Sequence, residues 1–392
     1  MGIVELAKGI YWVGAIDWNI RNFHGYTTPH GTTYNAYLVV DEKVALIDTV
    51  KAPFAKEMLD NIAEVIDLKK IDYMISNHVE MDHSGAIPVV MEKLEGATVV
   101  STVKGQEGLT RTYKAAWPFS PIKEGDELNL GQRAMKFIEA PMLHWPDNML
   151  VFLEEEGILF SNDAFGQHIA SSFRYDDQVP FIMPEAAKYY ANIVMPFGSM
   201  VRKALEKLKG ANVKMIAPSH GQIWRRDPGK IIQAYSEWSH GVVQEKVLIV
   251  YDTMWGSTES MAQAILKGVV REGVEIKLFH LSKTDWSEII KEVLDAKVLL
   301  IGSPTLNRGM FPTVAGFLAY LKGLRPKGKL GLAFGSYGWS AGAVKAAKQE
   351  LKDAGVKMMD TDLEITYVPD EDDLLTCTHL GQEIARQVKR GS

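Results

Sequence analysis

"SNHVEMDHSG", residues 76–85, sets two histidines, a glutamate and an aspartate within six positions, directly after the apolar run "IDYMI". Neutral imidazoles and carboxylates are metal donors, and a loop at a strand end can aim several of them at one point. His78, Glu80, Asp82 and His83 are therefore candidate ligands. Working outward, His144 lies in "APMLHWPDN", Asp163 in "LFSNDAFG" and His220 in "APSHG", each following or ending an apolar run with strand character. Four histidines and three carboxylates suffice for two metal ions, with Asp163 placed to bridge them. A lone His or Asp at a strand end is most often a cap or turn former, but that explains four such places together poorly. His30, His240, His280 and His379 have no such company and read as surface or packing residues.

The surrounding chain has two regimes. From about residue 10 to 220, short runs rich in β-branched and aromatic residues alternate with turn signals, and some come in close pairs: 35–40 with 43–48, and 148–153 with 157–161. That is hairpin spacing. With helices expected over 53–66, 84–95, 105–114 and 185–209, the region reads as an α/β sandwich of two mixed sheets covered by helices. From about 245, "EKVLIVYD", "VEIKLFHL", "AKVLLIGS" and "KLGLAFGS" are nearly continuous apolar strands. Each precedes a helical segment, at 258–272, 285–295, 311–323 and 339–354. A fifth strand near 357–364 and a last helix from about 370 complete a doubly wound, flavodoxin-like parallel sheet. The expected domains are 1–243 and 244–392.

Composition excludes several classes. The 392 residues are 46% hydrophobic and 23% charged, ordinary for a globular protein, and the net charge of −6 argues against a nucleic-acid binder. No run of about 18 apolar residues appears, so no membrane span is expected. The start "MGIVELAKGIYWVG" lacks the pattern of a secretory signal, and residence in the cytoplasm is the plain expectation. One cysteine, Cys377, cannot form an intrachain disulfide or supply a Cys₄ iron site.

The rhythm of the first half, with its loop motif and later His, Asp and His, resembles the metallo-β-lactamase superfamily. Hydrolases of that group carry His at the third motif position, where this chain has Glu80. An added carboxylate hardens the site and favours iron over zinc. Joined to a flavodoxin-like second half, the pattern is similar to the flavodiiron proteins over essentially the whole chain. The resemblance implies that His78, Glu80 and His144 hold one iron, that Asp82, His83 and His220 hold the other, and that Asp163 bridges them. It also implies a non-ligand His and Tyr in the pocket, for which the sequence offers His168, Tyr190 and His24. Ordinary packing with a hydrogen bond is the alternative for these three.

"VYDTMWGSTESMA" runs from a strand end through a hydroxyl-rich loop into a helix. Thr253, Ser257 and Thr258, with the N–H groups at the helix start and the intervening Met254, Trp255 and Gly256, can cradle one phosphate. The loop resembles that of flavodoxin, so FMN is expected rather than FAD or NAD. In a doubly wound sheet the next two loops lie at the same edge. Ser303, Pro304, Thr305, Leu306 and Asn307 are expected on one side of the flavin ring, and Ser336, Tyr337, Gly338 and Trp339 on the other.

Electron counting joins the halves. A diferrous pair supplies two electrons and a reduced flavin two more, which matches the reduction of O₂ to two waters and exceeds the need for coupling two NO to N₂O. By resemblance the external donor is a rubredoxin or a reduced deazaflavin coenzyme, and the assembly is a head-to-tail homodimer or a dimer of dimers. Two other classes stay open. One is a dinuclear zinc hydrolase with a regulatory flavodoxin domain, against which Glu80 speaks. The other is a flavin electron carrier with a retired metal site, against which the full ligand set speaks.

Overall fold

The computed structural model describes residues 2–390, which fall into two compact units: the described residues up to Tyr190 with Phe197–Ser236, and Ala191–Pro196 with the described residues from Glu237 onward. In the first unit a seven-stranded and a five-stranded sheet each mix parallel and antiparallel pairs. Both expected hairpins form, Tyr37–Val40 with Val44–Ile47 and Met149–Leu153 with Ile158–Asn162. Alternate residues of the larger sheet, such as Trp12, Tyr37 and Ile47, share a buried cluster with Phe137, Val151 and Phe160 of the smaller one. The larger sheet's other face, with Leu38, Leu46 and Met74, packs on Met58, Ile62, Val90 and Leu109 from the covering helices. Burying both faces of each layer is what an αββα sandwich requires.

Two expected helices are interrupted. The region 84–95 holds only the short helices Met81–Ser84 and Ile87–Met91. The region 185–209 is divided into Ile182–Tyr189, a π-turn over Tyr190–Val194, a 3₁₀ turn over Met195–Phe197, and Gly198–Lys207. Pro196 lacks the N–H that a continuous helix would use, so a break there follows from its chemistry.

In the second unit, strands Glu275–His280, Gln244–Tyr251, Ala296–Gly302 and Leu330–Tyr337 lie side by side in that order, all parallel. The expected fifth strand is split into Lys357–Met358 and Leu363–Thr366, both pairing with Leu330–Tyr337. Helices Ser257–Arg271 and Glu371–Arg390 cover one face through Met261, Ile265, Val269, Leu380 and Ile384. This is the doubly wound architecture expected, with its loops gathered at the carboxyl edge. Among the described residues, no helix is long and apolar enough to cross a membrane.

Candidate metal centre and flavin pocket

The seven expected ligands converge. Strand Tyr73–Ile75 leads into the loop that carries His78 and Glu80, and the single helical turn Met81–Ser84 presents Asp82 and His83. His144 precedes strand Met149–Leu153, Asp163 directly follows Ile158–Asn162, and His220 lies two residues beyond Met215–Pro218. Their ligand atoms form two groups, His78–Glu80–His144–Asp163 and Asp82–His83–His220, each within 4.8 Å. Asp163 faces both. Its Oδ2 lies 3.7 Å from His78 Nε2 and 3.4 Å from His144 Nε2, while its Oδ1 lies 3.1 Å from His83 Nε2 and 3.5 Å from His220 Nε2. That is the placement of a bridge.

Outer contacts aim the rings. His220 Nδ1 donates to the Thr33 carbonyl at 2.7 Å, which leaves Nε2 with its lone pair facing the cluster. The next residue, Gly221, has φ of +79°, and a side chain there would collide with Gln167. His78 Nδ1 rests 2.9 Å from the Asp147 carboxylate, which also accepts the Val79 N–H at 2.8 Å. Asp147 was not singled out from sequence. Its one signal is a carboxylate three residues after His144 in a turn-rich segment.

The cluster fits two hard cations. Asp82 Oδ1, Asp163 Oδ2 and His83 Nε2 are buried without a hydrogen-bond partner, a costly state that coordination would relieve. The donors are nitrogen and oxygen only, which suits iron. The field is strongly negative. Burial alone would lower the histidines, yet hydrogen bonds to Asp147 and Glu80 and the charge of Asp163 raise His78 to about 10. Asp82 and Asp163 likewise raise His83 to about 10, and Asp163 and Glu80 raise His144 to about 9. Asp163 is held well below the carboxylate range despite its burial, by His83 and His144.

The three non-ligand candidates separate. His168 is buried against the ligand set, its ring 4.9 Å from that of His220, with Nδ1 2.8 Å from Thr32 Oγ1 and Nε2 unpartnered. Burial holds its pKa well below the usual range, so the ring is neutral. His24 sits at the rim, 73% exposed, with Nε2 3.2 Å from Glu80 Oε1. Tyr190 instead packs on Tyr235, with ring centroids 4.9 Å apart. Its neighbour Tyr189 donates a hydroxyl hydrogen bond to Asp163 Oδ1 at 3.0 Å. Adjacent residues of a helix differ by about 100° around its axis, and "KYY" alone does not reveal which tyrosine turns inward.

In the second unit the carboxyl-edge loops enclose a cavity of about 710 Å³. Thr253, Met254, Trp255 and Ser257 line it from the first loop; Pro304, Thr305, Leu306 and Asn307 from the second; Ser336, Tyr337, Gly338 and Trp339 from the third. Arg308, Ser340, Tyr367 and Val368 also line it and were not foreseen, although Tyr367 and Val368 directly follow the last strand. Gly256, Thr258 and Ser303 are not among the lining residues. Thr258 Oγ1 lies 3.1 Å from Ser336 Oγ in the interior and ties two loops together, while Ser303 Oγ accepts the Phe311 N–H at 3.0 Å and closes its own loop. Gly256, at φ +89°, opens helix Ser257–Arg271 with no side-chain cap, leaving its first N–H groups for an anion. Trp255 and Trp339, each 93% exposed, flank the cavity as platforms for a flat ring. A flavin mononucleotide fits these features.

Residues 32–221 match the family described as ODP family beta lactamase, and residues 249–381 match Flavodoxin. The chain is 49% identical to the nitric oxide reductase of Moorella thermoacetica, with 98% of each chain covered. It is 44% identical to the rubredoxin-oxygen oxidoreductase of Megalodesulfovibrio gigas, with 99% of each covered. The solved flavodiiron protein from Giardia intestinalis superposes with a TM-score of 0.97 at 37% identity, covering 100% of this chain and 97% of that one. With ligand set, flavin cavity and full-length likeness in agreement, this chain belongs to the flavodiiron protein family.

Proposed function

We propose that the chain is an oxidoreductase that reduces O₂ to water, NO to N₂O, or both, at a non-haem diiron site served by FMN. The observation that carries this reading is Asp163, one carboxylate facing two complete ligand groups in a chain that also holds a flavin cavity. When bound, the two irons and the flavin supply the electrons that these reductions consume. The chain's own residues hold and orient them. His78, Glu80 and His144 hold one iron and Asp82, His83 and His220 the other, while Tyr189 fixes the bridging carboxylate through its hydroxyl. Neutral His168 offers Nε2 for a hydrogen bond to a small molecule at the cluster, and His24 connects Glu80 to solvent for proton exchange. Phe23, packed against the rings of His24, His168 and His220, limits water there.

The metal role belongs to residues 1–243 and the flavin role to 244–392. Electrons come from an external donor, a rubredoxin or a reduced deazaflavin coenzyme, because one cysteine cannot build an iron–sulfur centre. Trp255, Trp339, Tyr367 and Val368 expose 93%, 93%, 63% and 77% of their surface around the flavin cavity, more apolar area than a lone chain usually leaves to water. A head-to-tail homodimer, or a dimer of such dimers, covers them, and its mass in solution tests this. Cytoplasmic residence agrees with the single cysteine. The test of function is to mix fully reduced protein anaerobically with O₂ and with NO in a stopped-flow instrument and to quantify peroxide and N₂O. Fast reoxidation without peroxide, or with N₂O, is expected. Slow oxidation by O₂ with stoichiometric peroxide and no N₂O would overturn the proposal.

A further inference from the structure

Beneath the phosphate loop lies a buried carboxylate that the flavin reading does not use. Asp252, at the end of strand Gln244–Tyr251, is 1% exposed. It accepts four hydrogen bonds from three segments of the carboxyl edge. Oδ1 accepts the Thr253 N–H at 2.8 Å and lies 3.0 Å from His280 Nε2. Oδ2 accepts Ser282 Oγ and Thr313 Oγ1, each at 2.5 Å. Thr253 begins the phosphate loop. Thr313 sits at the start of helix Pro312–Leu324, just beyond the 303–311 loop that lines the other side of the cavity. His280 ends the neighbouring strand and Ser282 lies in the turn just after it, and the His280 ring is stacked on Tyr251 at 5.0 Å.

A carboxylate here is costly in two ways. It is buried, and its negative charge stands near the place of a phosphate dianion. What it offers in return is acceptor capacity: an ionised carboxylate accepts about four hydrogen bonds and donates none, whereas an amide of the same size must present an NH₂ to one side. Burial pushes Asp252 upward, but the bonds from Ser282, Thr313, Thr253 and His280 outweigh it and hold the group below its ordinary value.

We propose that Asp252 is a positioning residue for the flavin, clamping the phosphate loop to the helix behind the ring-side loop so that phosphate and ring are gripped in one register. The proposal rests on the FMN reading of the cavity. Asp252→Asn is the informative change, because it keeps the size, removes the charge and turns one acceptor into a donor. In the full-length protein, with iron in place and flavin removed and restored, FMN affinity should fall about 10- to 100-fold, as loss of charge-assisted hydrogen bonds implies. Riboflavin, which has the ring and no phosphate, should bind within about 3-fold of wild type, since only one end of the grip is used. Thr313→Val removes a single donor and should move FMN binding the same way by a smaller factor.

A merely structural role would weaken FMN and riboflavin together and lower thermal stability, and that outcome overturns the proposal. Unchanged or tighter FMN binding, as expected if the carboxylate only repels the phosphate, overturns it too. If Asp252→Asn fails to fold, Thr313→Val decides: an unchanged ratio of FMN to riboflavin affinity rejects the clamp. Wild-type protein that binds no FMN would instead be a failure of the flavin reading.

Discussion

The two sites of this chain are built on opposite plans. The metal centre is a set of side-chain atoms, brought from loops as far apart as His78 and His220, that leave Asp82, His83 and Asp163 with buried atoms unsatisfied until cations arrive. The flavin pocket is a shape, an open cavity of about 710 Å³ between three successive loops whose hydroxyls are engaged within the protein, Thr253 and Ser303 accepting backbone N–H groups and Thr258 meeting Ser336. In the first, each atom counts because charge must balance in the interior. In the second, tolerance depends on whether the loops keep their spacing.

That contrast makes predictions, of which Asp163→Asn should show the largest effect. An amide bridges poorly and removes the charge that offsets repulsion between two cations, so iron should fall well below two per chain while FMN stays. Oxygen consumption should then pass to the flavin and yield peroxide. Iron content and peroxide per O₂ are the measurements; two irons and no peroxide would remove Asp163 from the bridge.

Thr258→Leu probes the other plan. Thr258 is fully buried against Ser336, so a larger apolar side chain should push the helix start away from the third loop. FMN should be lost and iron kept, by flavin absorbance and metal analysis. Loss of both would mean the two halves do not act independently. Asp147→Asn is a milder test of the metal centre. It weakens the contact that orients His78, and iron should leave to a chelator about 10- to 100-fold more readily, with FMN unaffected.

These differences also explain what could be read beforehand. The clustering of the seven candidates was legible because residue type and position after a strand single them out. That Tyr189 and not the expected Tyr190 faces Asp163 could not be read, because the choice depends on the phase of a helix interrupted near Pro196. Asp147 and Asp252 were invisible since a supporting carboxylate looks like any polar residue in a turn. Thr258 carried the right signal, a hydroxyl at a helix start, but its side chain turned inward. Tyr367 and Val368 lie beyond a strand whose split the sequence did not reveal.

The smallest functional effect is expected from Lys329, buried in the flavin half with Nζ donating to the Leu294 carbonyl. Burial lowers its pKa from the ordinary 10.5 to about 7. Between these values the unfolded chain holds a proton that the folded chain has shed, so stability rises with pH through that window. Lys329→Met should flatten the rise by up to ~1.4 kcal/mol per pH unit, leaving iron and FMN in place. Denaturant melts of both proteins across the window check it.

The most direct test of the account is elemental and flavin analysis of natively purified protein. Close to two irons and one FMN per chain, with little zinc, is the predicted result. Stoichiometric zinc without iron would contradict it and return the first unit to the hydrolases.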